Sequence, residues 1–366
     1  GSAAAAARAT AAPAARRWRG GSEAAPPPLG ALGVQPGEAA ARRAELLPQL
    51  VGCVSLLANL LAHCEEAKLA CVALQLPLLL LRLWPLSAAA PELREAALRC
   101  LCNYVAHCTP AKCSLTAYSD AKGRCLAVLL VRLVSRPRRA SQPPLPERQW
   151  ALGWALLQSL ATAAESRSVL LRCQAAPRAV AALRASLARP AVDEARAAAV
   201  LDFLANLCFD AEGQAALLRV PDAFDGVVDG VGCRLPAARR AAALCLRNLA
   251  FCADGKASFL AKPRALPALL HALGGADARL ASHASAALWA LLCRCEKAKV
   301  AMRGSTLLQQ LQVAEKALAA RALVPGGAEG GAAAQDDLAA ALRNLDAVGW
   351  LLGLDGMTLR FGAAGP

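Results

Sequence analysis

Aromatic side chains make up only 4% of the 366 residues, and β-branched residues are also few. Because both types pack well on the pleated surface of a sheet, their scarcity argues against a β-rich fold. Hydrophobic residues still account for 57% of the chain, and most of them are alanine and leucine. These two residues lose little side-chain entropy in a helix, so the composition predicts an all-α protein.

Long apolar runs are also missing. The longest, residues 69–81, contains Gln75 and Pro77 and is shorter than the roughly 20 residues that cross a bilayer. We therefore expect no membrane insertion. No secretory signal is visible, and the fifteen cysteines are an odd number spread along the chain. This pattern is typical of free thiols that pack as small hydrophobes in a reducing compartment, which predicts a cytoplasmic location.

Acidic residues are outnumbered by basic ones, which leaves a formal net charge of +14. A charge of this sign predicts attraction to acidic partners, here protein segments. No block of lysine and arginine is interleaved with aromatic residues, so specific recognition of nucleic acid is not expected. The oligomeric state stays open.

Motifs of catalysis are absent. The sequence has no phosphate-binding glycine loop, dinucleotide fingerprint, paired-carboxylate site or nucleophile elbow. His63 and His107 are each followed by a cysteine, but adjacent residues on a helix point apart and do not form a nucleophile and base. We therefore expect a protein that is not an enzyme and needs no cofactor.

One segment is dense in side chains that bind soft metals. Zinc sites use cysteine pairs that converge from a turn, whereas the first two cysteines here lie within one helix and no second pair matches them. Packing in the core is the preferred interpretation, and no metal site is expected. The residues concerned are Cys100, Cys102, His107, Cys108 and Cys113.

Internal repetition is the strongest signal in the sequence. Six segments share a leucine-rich helix, a small or asparagine residue, a polar break, then a basic residue or glutamine; they lie at 56–72, 99–115, 156–171, 202–218, 245–260 and 288–302. Aligning them brings six residues to one position: Asn59, Asn103, Ser159, Asn206, Asn248 and Ala290. Helical units that recur about every 42 residues indicate an armadillo/HEAT-type α-solenoid of about six repeats in a right-handed superhelix.

The repeat pattern also predicts the domain organisation. Residues 1–43 are rich in alanine, arginine and proline without a periodic apolar face, so we expect them to be disordered. The repeat domain covers 44–322, and its Pro- and Arg-rich stretch 135–148 is expected to be an inserted loop. A Gly/Ala linker at 323–334 precedes a capping helix and tail at 335–366.

The aligned asparagines are the candidate binding residues. In armadillo solenoids the last helix of each repeat lines a groove, where asparagine can hydrogen-bond the backbone of an extended peptide. Asn59, Asn103, Asn206 and Asn248 have this position. The alternative is that they satisfy carbonyl groups between repeats. Nuclear-import receptors place a tryptophan four residues before each such asparagine. At these positions the present chain has Ser55, Arg99, Asp202 and Leu244, so recognition of nuclear-import signals is not expected.

A possible phosphorylation site lies in the inserted loop. Ser141 follows Arg138-Arg139-Ala140, the pattern of a basophilic kinase substrate. A phosphate there would offset the local arginine charge.

The last two repeats carry a more specific pattern. It comprises Arg247-Asn248-Leu249, Lys256 at a helix start, Ser282-His283-Ala284, and Leu288-Trp289-Ala290-Leu291 ahead of Lys297-Ala298-Lys299. These features resemble the C-terminal end of the rotatin family, very large armadillo-like proteins of centrioles and basal bodies. The resemblance covers the last third of the chain, and the Ala/Arg-rich head and residues 325–334 depart from the family.

The resemblance implies a structural role in centrioles, the centrosome and ciliary basal bodies, with downstream effects on left–right patterning. The alternative function is a generic armadillo adaptor that binds cytoskeletal or signalling partners in the cytosol. Both functions are those of a scaffold that binds protein segments.

Overall fold

The computed structural model describes residues 36–119, 125–135, 145–188, 193–304, 306–322 and 331–354. These ranges contain nineteen α-helices and no strand, which confirms the all-α class. The chain divides into two compact units, Gly1–Cys173 and Gln174–Pro366. The first unit holds α1 (Pro36–His63), α2 (Glu65–Ala73), α3 (Leu76–Ala89), α4 (Pro91–Val105), α5 (Thr109–Ala117), α6 (Leu126–Val134), α7 (Glu147–Leu160) and α8 (Ala164–Arg172). The second holds α9 (Ala175–Leu187), α10 (Glu194–Leu207), α11 (Ala211–Leu218), α12 (Ala223–Val231), α13 (Pro236–Leu249), α14 (Ala253–Ala261), α15 (Ala265–Gly274), α16 (Ala278–Leu292), α17 (Glu296–Arg303), α18 (Leu307–Ala322) and α19 (Gly331–Leu352).

From α2 onward the described helices recur in chain order as triplets of short, middle and ladder helix. The short helices have eight or nine residues. We call the last helix of each triplet the ladder helix; these are α4, α7, α10, α13, α16 and α19. α1 comes before the first triplet and packs as a further ladder helix. The six repeat positions that the sequence predicts fall on α1, α4, α7, α10, α13 and α16, and α19 adds a further ladder helix among the described residues.

Ladder helices pack side by side within each unit. In the first unit α1 contacts α4, and α4 contacts α7; in the second unit the contacts run from α10 through α13 and α16 to α19. Small side chains allow this close approach, as shown by the buried Ala238, Ala241 and Ala242 on α13. A triplet is too small to bury its own apolar face, so the stack supplies the core.

Glycine is required where a short helix begins against the preceding ladder helix. At Gly213 and Gly255 a Cβ atom would overlap the carbonyl oxygens of Leu207 and Leu249. The backbone N–H of Gly213 donates to the Asp210 carboxylate at 3.0 Å, which caps α11. The same tight start therefore recurs in two consecutive repeats.

Several predicted boundaries move in the structure. α1 begins at Pro36, inside the segment 1–43 that was expected to be disordered, and residues 1–35 lie outside the described part of the chain. α7 begins at Glu147, inside the predicted loop 135–148; residues 136–144, including Ser141, are not among those described. α19 begins at Gly331, within the predicted linker 323–334, and packs on α16 as a ladder helix.

One helix among the described residues is long and apolar enough to cross a membrane, contrary to the expectation from the sequence. This helix is Ala44–His63 of α1. The bent pair α2 and α3 also meets the criterion of length and hydropathy when the two helices are taken together. The expectation was based on the uninterrupted run at 69–81 and missed α1. A core helix of a soluble protein meets the same criterion when it is mostly buried, whereas only 17% of the apolar window of α1 is buried, including Val54, Ala58 and Leu61.

Candidate protein-binding surface

Asparagines on the ladder helices join neighbouring repeats. Asn103 Nδ2 donates to the carbonyl oxygen of Ala58 at 2.8 Å, and Asn248 Nδ2 donates to that of Ala205 at 2.9 Å. Each acceptor belongs to the preceding ladder helix and comes one residue before its own aligned asparagine. These two bonds, which we call the asparagine rung, are the contacts that the alternative interpretation predicts.

A second set of bonds closes individual repeats. Lys68 Nζ donates to the carbonyl oxygen of Ala106 at 2.7 Å, and Lys256 Nζ donates to that of Cys293. Gln214 Nε2 donates to the carbonyl oxygen of Asn248 at 3.0 Å. In each case a short helix reaches the C-terminal end of the ladder helix in its own repeat. The repeat pattern in the sequence contains this basic or glutamine residue, but only the structure shows which carbonyl oxygen accepts its hydrogen bond.

The four predicted binding asparagines differ in exposure. Asn59 is exposed, Asn103 and Asn206 are half-buried, and Asn248 is buried. Asn248 Oδ1 also accepts bonds from Arg247 at 3.2 and 3.3 Å. Contact with a peptide by all four stays a prediction, and the burial of Asn248 leaves little of its side chain accessible to a peptide.

Basic side chains of the second unit meet beside this rung. We define the basic ladder face as Arg240 and Arg247 on α13 with Arg279 and His283 on α16. Arg240 Nε makes an ion pair with the Asp277 carboxylate at 2.6 Å. Among the described residues Arg247 and Arg279 make no ion pair within 4.0 Å, so two cations remain available to a ligand.

Electrostatic interactions link charged side chains on three ladder helices of the second unit. Burial raises the pKa of Asp202 on α10, and Arg279 on α16 opposes the shift. α13 packs between these two helices, so side chains from both sides approach each other across it. Burial, together with Arg247 and Arg279, also lowers the pKa of His283 to about 4. His283 is therefore neutral at pH 7, and the arginines carry the charge.

An aromatic pair borders the basic ladder face. The rings of Phe251 and Trp289 meet edge to face with centroids 6.4 Å apart. Phe251 is 57% exposed, and Trp289 occupies the position in α16 that Arg247 has in α13. The surface thus combines cations with an apolar contact, a combination suited to an acidic segment that carries apolar side chains.

The cysteine-rich segment of the first unit is divided among separate environments. Burial raises the pKa of the Cys100 and Cys102 thiols to about 12, and the Cys102 thiol faces the carbonyl oxygen of Leu152 at 3.4 Å. Cys113 instead contacts the Glu165 carboxylate at 3.7 Å. Within the described ranges no three histidine, cysteine or acidic side chains are grouped to hold a metal ion.

Comparison with solved structures shows the fold. An engineered protein superposes with a TM-score of 0.58 at 18% identity, covering 79% of this chain and 73% of its own. A second engineered protein gives 0.53 at 17% identity, covering 81% and 98%. A designed armadillo repeat protein gives 0.50 at 18% identity, covering 70% and 94%. No protein-family model and no curated protein matches the sequence. The chain therefore has the armadillo-repeat α-solenoid fold.

Proposed function

We propose that this protein is a non-enzymatic scaffold that binds extended, acidic protein segments along the basic ladder face of its second unit. The observation that carries the proposal is the pair of arginines, Arg247 on α13 and Arg279 on α16, which both act on His283 and make no ion pair within 4.0 Å among the described residues. Burial raises the pKa of the Asp202 carboxyl and Arg279 opposes that shift, so Arg279 already interacts with an acidic group. An arginine fork favours carboxylates because it can donate two parallel hydrogen bonds. Arg247 would exchange its two bonds to Asn248 Oδ1 for a carboxylate of the ligand. In this proposal Asn103 and Asn248 hold the ladder helices in register.

The proposed location is the centriole, centrosome and ciliary basal body. Its support is the resemblance to the rotatin family at residues 244–302, which include Arg247, Arg279 and His283 of the basic ladder face and the Phe251–Trp289 pair. Roles in cilium assembly and left–right patterning belong to the same proposal. The alternative is a generic adaptor for cytoskeletal or signalling partners in the cytosol.

Selection of random peptides displayed on phage tests the binding surface directly. We expect the purified full chain to enrich peptides that combine Asp or Glu with apolar residues. The double variant Arg247→Ala, Arg279→Ala should bind the selected peptides about tenfold more weakly, because two charged contacts are lost. The matched control is Arg178→Ala, Arg219→Ala, which removes two exposed arginines elsewhere in the second unit.

Equal binding by the Arg247/Arg279 variant and the control would contradict the proposed surface. The variant Asn206→Ala distinguishes direct contact with the peptide from a purely architectural role of the asparagines. If Asn206 touches the peptide, the variant should bind more weakly while its unfolding midpoint stays unchanged. If binding by Asn206→Ala is unchanged, the asparagines act only in the architecture.

The cellular part of the proposal is tested by localisation of the tagged full-length protein in ciliated cells. We expect staining at centrioles and basal bodies. Diffuse cytosolic or junctional staining would contradict it and favour the adaptor.

A further inference from the structure

Two exposed phenylalanines follow consecutive ladder helices of the second unit. Phe209 comes three residues after Asn206 and is 64% exposed, and Phe251 comes three residues after Asn248 and is 57% exposed. At this position aromatic residues therefore occur in two consecutive repeats, next to the basic ladder face. The equivalent residues of the other aligned repeats are Ala62, Ala106, Thr162 and Cys293.

A local role in starting the next helix does not account for the two rings. Each phenylalanine comes just before the residue that caps a short helix, Asp210 for α11 and Cys252 for α14. An apolar residue at this place often packs on the fourth residue of the helix. That residue is Gln214 in α11 and Lys256 in α14, and both donate to carbonyl oxygens of ladder helices instead. Neither short helix supplies the apolar partner.

The rings lie against the next ladder helix. Phe251 meets Trp289 of α16 edge to face, with ring centroids 6.4 Å apart. The alignment gives Arg247 of α13 the position that Trp289 has in α16. Phe209 therefore has the same relation to Arg247 that Phe251 has to Trp289.

Contacts of the neighbouring cysteine support this arrangement. Cys208, next to Phe209 in the chain, has its sulfur 3.6 Å from that of Cys245 on α13. Burial lowers the pKa of Arg247 and the Cys208 thiol opposes this shift, so the two side chains are close together. We define the aromatic row as the four side chains that follow one another across the ends of α10, α13 and α16, namely Phe209, Arg247, Phe251 and Trp289.

Charge decides which kind of segment fits the aromatic row. Residues 1–35 of the chain carry four arginines and one glutamate, and residues 136–144 carry three arginines and no acidic residue. Like charges repel, so these basic parts of the chain do not fit beside Arg247 and Arg279. A partner segment that carries carboxylates does fit, because each arginine can donate to a carboxylate.

We propose that the aromatic row selects partner segments in which an acidic residue lies between two apolar residues. One apolar side chain packs on Phe209, the other packs on Phe251 and Trp289, and the carboxylate binds Arg247 between them. Aromatic rings are well suited to such contacts because they bury a large area at a small cost in side-chain entropy. This proposal deepens the proposed function and rests on it.

Two phage-displayed peptide libraries of equal composition test the order of the residues. In one library the acidic residues lie between the two apolar residues, and in the other they lie outside them. We expect the full chain to enrich the first library about tenfold more than the second, because only this order places both apolar side chains and the carboxylate on the row together.

A variant of the row and a matched control locate the selectivity. Phe209→Ala, Phe251→Ala should lose the preference for the first library. Val300→Ala, Val313→Ala, which shortens two apolar side chains exposed elsewhere in the second unit, should keep it. Phe209→Ala alone should lower the preference at an unchanged Tm, since this ring is mostly exposed.

Hydroxyl-radical footprinting, read by peptide mass mapping, reports directly on the rings. Phe209 and Phe251 should react in the free chain and be protected by a peptide from the first library. Protection in the free chain would refute the proposal, since another part of the chain or a second copy would already cover the row. Equal enrichment of the two libraries, while Arg247→Ala, Arg279→Ala still weakens binding, would refute the row and leave the proposed function standing. Enrichment of neither library would overturn both.

Discussion

α1 and α13 carry the same ladder pattern in opposite surroundings. In α13 the aligned asparagine, Asn248, is buried and has bonds to Ala205, Arg247 and Gln214. In α1 the equivalent Asn59 is exposed and its side chain has none of these bonds within the described chain. The same residue is thus an architectural tie inside the stack and a surface group at its end. Sequence position alone therefore does not define its role.

The largest expected effect comes from a substitution that disrupts the junction between a short helix and a ladder helix. Gly255→Ala should lower the free energy of unfolding by about 3 kcal/mol, because its Cβ would overlap the Leu249 carbonyl oxygen. Gly274→Ala is the matched control, since a Cβ there meets no atom within 4 Å. Urea unfolding followed by circular dichroism gives both values. Equal stability of the two variants would show that the short helix can shift without cost.

A graded asparagine series sharpens the comparison between the enclosed and open positions. Asn248→Ala should cost about 2 kcal/mol because it leaves the buried Ala205 carbonyl with only the weak bond from the Cys208 thiol at 3.6 Å, and the half-buried Asn103→Ala about 1 kcal/mol. Asn59→Ala should change stability by less than about 0.5 kcal/mol. The same urea unfolding measurement ranks the three. A cost at Asn59 as large as at Asn248 would mean that α1 is covered in solution.

The last expected effect is the pH dependence of stability that His283 gives to the second unit. His283 has its folded pKa lowered to about 4 from 6.5, so the unfolded chain takes up the proton first as pH falls. The native state should therefore lose about 1 kcal/mol between pH 7.5 and 5.5 relative to His283→Asn. The exposed His271→Asn serves as control and should keep the parent pH profile. Parallel profiles for parent and His283→Asn would contradict the assigned burial.

The repeat register could be predicted from the sequence because leucine and asparagine recur at nearly fixed spacing. The ladder position of α19 could not, because a Gly/Ala-rich stretch precedes it and its asparagine is displaced. Asn344 Nδ2 donates to Ser285 Oγ at 3.1 Å, one turn before the acceptor position that other rungs would use on α16. Because its asparagine is displaced, α19 does not align with the other repeats at a fixed spacing.

The candidate site was only partly predictable for a related reason. The alignment places Asn248 on a ladder helix, but its direction depends on how closely α10 approaches, and that distance is set by small side chains on both helices. The basic ladder face could not be predicted because Arg279 and His283 lie on a different helix from Arg240 and Arg247. Packing of α16 on α13 brings these side chains together.

The uneven distribution of the asparagine rung has a mechanical consequence. Asn248 ties α13 to α10, whereas Ala290, at the same position of α16, has no amide with which to tie α16 to α13. In a stack of repeats each repeat contacts only its neighbours, so the strength of each junction depends on the interactions at that interface. The α13–α16 junction relies instead on the partly exposed ion pair between Arg240 and Asp277, so its resistance to a pulling force should fall as the salt concentration rises, whereas that of the α10–α13 junction should change less.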